Sequence, residues 1–285
     1  MSDARECALT VVTGQKGVGK SYRTIQEIDL YLQTDFSSGR KGRKVLIFDV
    51  NNDPQYVKYR SLDFNVDEPD DFRRGEIIRR FASSEIVEAR RIIPVKKNGR
   101  PFEFNDFTKT IRCVADNFKY GLFVAEDINK YITHKNSDMI LDMLITLRHK
   151  NMDMIILLQT LSKVTTTMWE NMNYLRMHKQ GDNVDRYKNR IPNYQIVKLA
   201  EIIVSKRFLS GDVRNPVYCS PTDDRFFDVS EDEYKGACRN YLLDFEKDLK
   251  KYQRLTDSSG KLLYPSRYDA EEQWIKEHEY MIRTY

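Results

Sequence analysis

Eight consecutive residues near the amino terminus have the types and spacing needed to bind a polyphosphate. They follow the pattern G-x-x-x-x-G-K-[ST] and are Gly14, Gln15, Lys16, Gly17, Val18, Gly19, Lys20 and Ser21. In such a P-loop the glycines let backbone N–H groups turn towards the phosphates. The lysine reaches the β- and γ-phosphates, and the hydroxyl contacts Mg²⁺. We therefore expect these residues to bind ATP and Ser21 to bind the metal as well.

Two carboxylates follow an apolar segment further along the chain. Residues 122–125 are apolar, and Glu126 and Asp127 come directly after them. This is the shape of a Walker B segment, in which one acid orders the Mg²⁺ shell and the other polarises the attacking water. The usual order is Asp then Glu. By position, Glu126 is expected at the metal and Asp127 at the water, although the reversed order leaves this division open. The alternative is that the pair only caps a helix.

Two more polar side chains end apolar segments. Asp49 ends the segment that begins at Lys44, and Gln159 follows Met154–Leu158. Ligands bind at the carboxyl ends of parallel strands, so Asp49 is expected to touch nucleotide or metal, with capping of the next turn as the alternative. Gln159 is expected to sense the γ-phosphate or hold the attacking water, with a strand-end hydrogen bond as the alternative.

The segments that must position these residues alternate in pattern between buried strands and amphipathic helices. This alternation predicts an α/β P-loop NTPase fold, with a mostly parallel sheet flanked by helices and a small helical appendage at the carboxyl end. The pattern predicts strands over 8–13, 44–50, 122–125, 154–158 and 174–178, an edge strand over 90–95, and a hairpin over 216–229. It predicts helices over 22–32, 105–118, 137–150, 194–208, 230–255 and 269–283.

Composition places the chain among soluble globular proteins. It has 285 residues, 40% hydrophobic and 32% charged, with a mean hydropathy of −0.63. The longest apolar run, Met154–Leu158, is far too short to cross a bilayer. The four cysteines form no C-x-x-C pair. We therefore expect a cytosolic setting with no membrane anchor, no disulfide and no structural zinc.

The net charge of +4 is distributed unevenly. Residues 223–285 contain 15 acidic and 11 basic residues, net −4, which leaves about +8 for residues 1–222. We therefore divide the chain into an ATPase domain, 1–222, and an acidic, mainly helical region, 223–285. The first part contains a basic cluster of Arg40, Lys41, Arg43 and Lys44. This cluster is expected to contact DNA phosphates, and a solvated surface is the alternative.

Residues 147–164 resemble the Zot-like ATPases of phages, which belong to the FtsK/HerA superfamily of DNA pumps. The spacing of the P-loop, Asp49, the carboxylate pair, Arg148 and Gln159 is also similar to that superfamily, including its viral genome-packaging members. The resemblance covers about residues 8–180 and implies a RecA/FtsK-like core. Zot-like proteins typically carry a membrane segment after the ATPase, and its absence here favours a packaging motor.

The resemblance implies an ATP-driven translocase for double-stranded DNA without sequence specificity, acting in phage genome packaging as a homo-oligomeric ring. Its implied cofactors are ATP and Mg²⁺. A capsid portal or a packaging RNA or protein is the implied partner, and the host cytoplasm, with transient binding to the procapsid, the implied location. Arg148 would be an arginine finger acting on the neighbouring subunit, with a favourable cation at a helix end as the alternative.

The same residues leave two other functions open. The first is a P-loop small-molecule kinase, which needs an arginine-bearing lid and an acceptor pocket. The second is a non-hydrolysing, ATP-switched adaptor for virion assembly or secretion, which the reversed carboxylates allow.

Overall fold

A nine-stranded sheet organises the computed structural model, which describes residues 7–62, 71–96, 98–128, 131, 146 and 151–282. The strand order is β3–β4–β2–β5–β6–β1–β7–β8–β9. Along this order, each pair of neighbouring strands from β3 through β7 is parallel. The pairs β7–β8 and β8–β9 are antiparallel. The strands are β1 (Leu9–Thr13), β2 (Val45–Asp49), β3 (Arg60–Ser61), β4 (Ala89–Ile92), β5 (Leu122–Glu126), β6 (Asp153–Leu158), β7 (Tyr174–Met177), β8 (Val217–Ser220) and β9 (Arg225–Phe226).

Helices flank this sheet, so the predicted fold class is confirmed. Within the described ranges they are α1 (Lys20–Leu32), α2 (Asp71–Ser83), α3 (Phe104–Asn117), α4 (Thr166–Asn171), α5 (Tyr194–Leu209), α6 (Glu231–Asp244), α7 (Glu246–Lys250) and α8 (Arg267–His278). The helix predicted over 137–150 lies outside the described residues, apart from position 146. No helix in the described part of the chain is long and apolar enough to cross a membrane.

Alternate residues of the central strands pack on opposite faces of the sheet. In β2, Leu46 and Phe48 belong to the larger apolar cluster, whereas Val45 and Ile47 belong to the smaller one. Successive side chains of a strand point to opposite faces, and this strand is buried on both. The smaller cluster includes Ile28 of α1, and the larger one includes residues of α2, α3, α5, α6 and α8. The P-loop helix therefore packs on one face, and most of the other described helices pack on the opposite face.

The strand predicted at the sheet edge over 90–95 is internal. β4 pairs with β2 on one side and with the two-residue strand β3 on the other, where Arg60 lies opposite Arg90. The prediction was wrong because the short strand that covers β4, Arg60–Ser61, carries no apolar pattern. Arg91 of β4 is buried and paired with Asp49, which is how a basic residue is tolerated there.

The long helix predicted over 230–255 is broken after Asp244. It begins with the predicted capping box, in which Ser230 Oγ accepts from the N–H of Glu233 at 3.3 Å. At Phe245 the backbone leaves the helical region, with φ −118° and ψ 53°. The Phe245 ring stacks on Tyr241 with centroids 4.4 Å apart. The packing of Phe245 on Tyr241 thus accompanies the end of α6, and α7 begins at the next residue.

The carboxyl-terminal helices share the core of the rest of the chain. Tyr234 of α6 and Trp274 of α8 belong to the same apolar cluster as Val11 of β1. Strand β9 also lies beyond residue 222 and pairs with β8. The division into 1–222 and 223–285 stays a prediction.

Candidate nucleotide-binding site

The loop between β1 and α1 follows a path that depends on its glycines. Gly17 and Gly19 both have φ of 84°, in the left-handed region that favours glycine. Gly14 lies against the residue that follows β7. A Cβ built at Gly14 would be 2.6 Å from Cβ of His178, closer than two such carbons can approach. Side chains at these positions would therefore displace the loop.

The loop leads into the start of α1, which has free backbone N–H groups. Gly19 is the N-cap of α1, and no side chain caps this helix. The first N–H groups of an α-helix have no intrahelical acceptor, and the helix dipole favours an anion beside them. The start of α1 is therefore suited to hold phosphate, as the sequence pattern predicts.

The side chain of Lys20 turns back over the loop. Its Nζ donates to the carbonyl oxygen of Gly14 at 2.6 Å and to that of Gln15 at 2.7 Å. Burial lowers the pKa of Lys20, and the charges of Glu126 and Asp127 partly oppose this shift. The ammonium thus shares the cavity with the carboxylate pair, where it can neutralise phosphate charge.

Glu126, the last residue of β5, directly contacts Ser21. Its Oε1 accepts a hydrogen bond from Ser21 Oγ at 3.1 Å, and its Oε2 accepts one from the Tyr56 hydroxyl at 2.8 Å. Burial raises the pKa of Glu126 to about 7, although both hydrogen bonds act in the opposite direction. The two residues predicted at the metal therefore lie together.

The donors at this point are hard oxygens, a hydroxyl from Ser21 and a carboxylate from Glu126. Mg²⁺ prefers oxygen ligands and is commonly held by one or two carboxylates together with substrate phosphates. This donor set fits Mg²⁺ that binds together with a nucleotide.

Asp127 and Gln159, both predicted to act in catalysis, are hydrogen-bonded to each other. Asp127 Oδ2 accepts from Gln159 Nε2 at 2.8 Å and from Asn51 Nδ2 at 2.9 Å. Asp127 has φ of 48°, a left-handed conformation that aspartate tolerates better than most residues. Gln159 follows β6, the neighbour of β5, so the carboxyl edge of the sheet brings these side chains together.

Asp49 is fully buried, and both of its carboxylate oxygens have partners. Oδ1 accepts from the N–H of Asp53 at 3.0 Å, and Oδ2 accepts from Arg91 Nη1 at 3.1 Å. Burial raises the pKa of Asp49, against the hydrogen bonds and the charge of Arg91. The geometry thus favours capping of the next turn over the predicted contact with nucleotide.

A cavity of about 670 Å³ joins these groups. From the loop and helix it is lined by Lys16, Gly17, Gly19, Lys20, Ser21 and Tyr22, and from the strand ends and later loops by Asn51, Asp53, Glu126, Asp127, Gln159 and Arg214. Gln15 and Val18 contribute to the P-loop in another way. Gln15 N–H donates to the carbonyl oxygen of Lys179 at 2.9 Å, and the Val18 side chain is buried.

Three residues without a predicted role support or line this cavity. Tyr56 is fully buried in the 3₁₀ turn Pro54–Tyr56 and holds Glu126. Arg214 lines the mouth from the loop before β8. Arg176 of β7 is fully buried and bonds to Glu27 and Thr24, which fixes the first turns of α1.

A local signal existed for one of these three. Tyr56 ends a polar loop that follows a strand, and such loops collect at the carboxyl edge of a parallel sheet. Arg214 and Arg176 carry no comparable sequence signal.

The predicted DNA-binding cluster lies in the loop that leads into β2. It is therefore at the amino-terminal ends of the parallel strands, opposite the nucleotide cavity. Lys41 is exposed, as is Arg40, whose Nη2 donates to the carbonyl oxygen of Leu30 at 3.1 Å. Arg43 is partly buried, and its N–H donates to the carbonyl oxygen of Tyr31 at 3.0 Å. Both Arg40 and Arg43 are thus tied to α1.

Lys44 differs from the rest of the cluster. Its ammonium donates to the carbonyl oxygens of Phe81 at 2.9 Å, Ala82 at 2.8 Å and Ser84. An ammonium has three donors, so all are used to cap the end of α2. The Lys44 ammonium therefore has no donor left for the expected contact with DNA phosphates.

Arg148 lies outside the described residues, and its predicted role as an arginine finger stays a prediction.

Comparisons with known proteins give similarity in fold. No protein-family model matches the chain, and no curated protein matches it. Among solved structures, the genome packaging NTPase B204 from Sulfolobus turreted icosahedral virus 2, in complex with sulfate, is 13% identical with a TM-score of 0.50. The match covers 78% of this chain and 96% of that one.

Two further structures are similar to lesser degrees. The same NTPase in complex with ATP-gammaS is 11% identical with a TM-score of 0.49, over 78% of this chain and 96% of that one. The N-terminal domain of zonular occludens toxin from Neisseria meningitidis is 12% identical with a TM-score of 0.35, over 62% and 79%. The resemblance to viral packaging ATPases is confirmed at the level of the fold by the sulfate complex. The chain therefore has a P-loop NTPase fold.

Proposed function

We propose that this chain hydrolyses ATP and couples hydrolysis to movement of double-stranded DNA, as a genome-packaging motor that works in a homo-oligomeric ring. The observation that carries the ATPase part is the meeting of Lys20, the Ser21–Glu126 pair and the Asp127–Gln159 pair in one cavity. Similarity in fold to a viral genome packaging NTPase supports the packaging part.

The P-loop and Lys20 bind the triphosphate in this proposal. The uncapped start of α1 supplies N–H groups and a favourable dipole. Lys20 is partly buried beside the loop carbonyls, so its positive charge is less screened by water than at the surface. Ser21 and Glu126 would hold Mg²⁺, which supplies positive charge to the β- and γ-phosphates.

In this proposal Asp127 is the general base for the attacking water, and Gln159 positions Asp127. The carboxylate of Asp127 accepts the proton of this water as it attacks, and the amides of Asn51 and Gln159 hold that carboxylate in place. Glu126 is occupied with Ser21 and Tyr56, which supports the division of the two acids by position.

Arg40, Lys41 and Arg43 make the DNA contact in this proposal. The nucleotide cavity lies at the carboxyl ends of the parallel strands, whereas these three residues precede β2 and lie at the amino-terminal ends. Contacts from arginine and lysine to phosphates carry no base information. A motor that passes every sequence of a genome requires such contacts. We place the protein in the host cytoplasm and transiently at the procapsid, bound to a portal or a packaging RNA or protein.

The experiment that tests this function measures the rate of ATP hydrolysis with and without long duplex DNA, over a range of salt concentrations. We expect hydrolysis that duplex DNA stimulates at low salt, and no hydrolysis by Lys20→Ala, which lacks the charge that faces the phosphates. Turnover indifferent to DNA but dependent on a small acceptor would favour the kinase. ATP binding without turnover would favour the adaptor.

A second experiment tests the DNA contact. Changing Arg40, Lys41 and Arg43 together to alanine should weaken binding to all duplexes alike and reduce the slope of log affinity against log salt by up to about 3. The matched control changes three exposed basic residues of the carboxyl-terminal region, Lys247, Lys250 and Arg254, to alanine. Equal slopes for both triple variants would show that the cluster is a solvated surface that does not contact DNA.

A further inference from the structure

Arg214 and Tyr22 form a cation–π pair that lines the nucleotide cavity. The guanidinium carbon of Arg214 lies 4.9 Å from the centre of the Tyr22 ring. Both residues line the cavity that contains Lys20 and Glu126. Both are also solvent-exposed, so the pair borders the cavity without being part of the core.

The stem of Arg214 is pressed against the P-loop. A Cβ built at Gly19 would lie 3.0 Å from Cγ and 3.2 Å from Cβ of Arg214. The loop that carries Arg214 is fixed at its base, because the N–H of Asp212 donates to the carbonyl oxygen of Arg207 at 3.0 Å. Position 214 is therefore held beside the phosphate loop by contacts within the fold.

The strand order shows which end of a bound nucleotide meets this pair. Glu126 ends β5, which lies two strands from β1 on one side, and Arg214 precedes β8, two strands from β1 on the other. Each of these offsets is about 10 Å. Ser21 contacts Glu126, whereas Tyr22, the next residue of α1, is turned by about 100° around the helix.

This arrangement fixes a direction for the nucleotide. If the β- and γ-phosphates lie between Lys20 and Glu126, the nucleoside end projects towards β7 and β8. Arg214 and Tyr22 are the paired planar side chains on that side.

We propose that the Arg214–Tyr22 pair binds the nucleoside end of the bound nucleotide, with the base stacked on the face of the Arg214 guanidinium that Tyr22 does not cover. This inference rests on the proposed nucleotide binding at the P-loop. A guanidinium is planar and stacks on aromatic faces, which a lysine ammonium does not do. Stacking tolerates any base, because every base has a π-face. The Arg214–Tyr22 pair therefore adds affinity for nucleoside triphosphates and discriminates little between adenine and guanine.

The test compares a nucleotide with a phosphate chain that lacks the nucleoside. The dissociation constants of ATP, GTP and inorganic tripolyphosphate are measured with Mg²⁺ for the wild type, Arg214→Ala, Arg214→Lys and Tyr22→Leu. We expect all three variants to bind ATP and GTP about 10-fold more weakly. Tripolyphosphate affinity should change by less than about 2-fold, since it makes no stacking contact. Arg254→Ala, which removes an exposed arginine elsewhere, should match the wild type.

Three outcomes would overturn this proposal. An equal loss for tripolyphosphate would place Arg214 on the phosphates, and wild-type ATP binding by Arg214→Lys would show a charge contact without stacking. Unchanged ATP affinity in Arg214→Ala and Tyr22→Leu would show that neither residue touches the nucleoside. Failure of the proposed function looks different, because the wild type would then bind neither ATP nor tripolyphosphate.

Discussion

The hydroxyl of Tyr56 donates a hydrogen bond of 2.8 Å to Oε2 of Glu126, and both side chains are buried. Tyr56 ends the turn that follows β2, and Glu126 ends β5, the neighbouring strand. The carboxylate predicted at the metal is thus held from one side by the P-loop serine and from the other by a tyrosine.

Tyr56→Phe should weaken the metal site although Ser21 and Glu126 are both kept. The substitution leaves a buried carboxylate oxygen without its donor, which costs about 1–3 kcal/mol in the free energy of unfolding. Loss of a residue that orients a metal ligand typically lowers metal affinity or activity by about 10–100-fold. Titration of ATPase activity with Mg²⁺ measures this effect, and chemical unfolding measures the stability.

The matched control for Tyr56 is Tyr59→Phe. Tyr59 is also buried, but its hydroxyl donates to Asp29 at 2.8 Å, outside the cavity. This variant should keep the wild-type Mg²⁺ dependence. If both variants behave alike, Tyr56 has no role in positioning Glu126.

The two acids should give different phenotypes. Asp127→Asn should bind Mg·ATP normally yet lose about 10²–10⁴-fold in turnover, because an amide does not take up the proton of the attacking water. Glu126→Gln should first raise the Mg²⁺ concentration needed for activity, since it removes the charge beside Ser21. Equilibrium binding and steady-state rates distinguish these effects. Exchanged phenotypes would mean that the roles follow side-chain type, with glutamate as the base.

Arg148→Ala should bind ATP normally and hydrolyse it poorly, by on the order of 10³-fold if this arginine completes a neighbour's site. Mixing Arg148→Ala with Lys20→Ala protein should restore part of the activity, because some interfaces would pair an intact arginine with an intact P-loop. Co-assembly of the two variants must be shown by size and by labelled subunits. Co-assembled mixtures that stay inactive would contradict action across the interface.

His178 should make the protein sensitive to mild acid. It is buried behind the P-loop, with Nδ1 3.1 Å from the carbonyl oxygen of Val18. Burial, together with the charge of Arg176, lowers the pKa of His178 to about 3. The unfolded chain takes up a proton below about pH 6.5, which the folded protein does not. The stability is therefore full above about pH 6.5 and is lost as the pH falls towards 3.

The size of this effect can be measured with His178→Asn, which keeps a donor for Val18 but does not titrate. Between pH 7 and pH 5 the wild type should lose about 2 kcal/mol more unfolding free energy than the variant. Urea unfolding at both pH values gives the two differences. Parallel losses in wild type and variant would show that His178 is not held neutral.

Much of the candidate site was predictable because its signals are local. The P-loop, the carboxylate pair and Gln159 each lie next to a recognisable apolar strand. In a parallel sheet the carboxyl ends of the strands share one edge. That rule places Asp127 and Gln159 at the same edge, whereas their contact also requires that β5 and β6 are neighbours.

Other features were decided only by the tertiary structure. Lys44 has the same charge as its neighbour Lys41, yet its donors are used by the end of α2. β4 is internal because a two-residue strand pairs with it. Arg214 reaches the P-loop because β8 lies two strands from β1.

The physical reason is the range of the interactions. Glycine conformations, helix starts and apolar periodicity are set by residues close together in the chain, so their effects can be recognised in the sequence itself. The partners of Lys44 and Tyr56 and the position of Arg214 depend on which strands and helices pack side by side. The summed burial of the whole core selects that arrangement, and no local pattern records it.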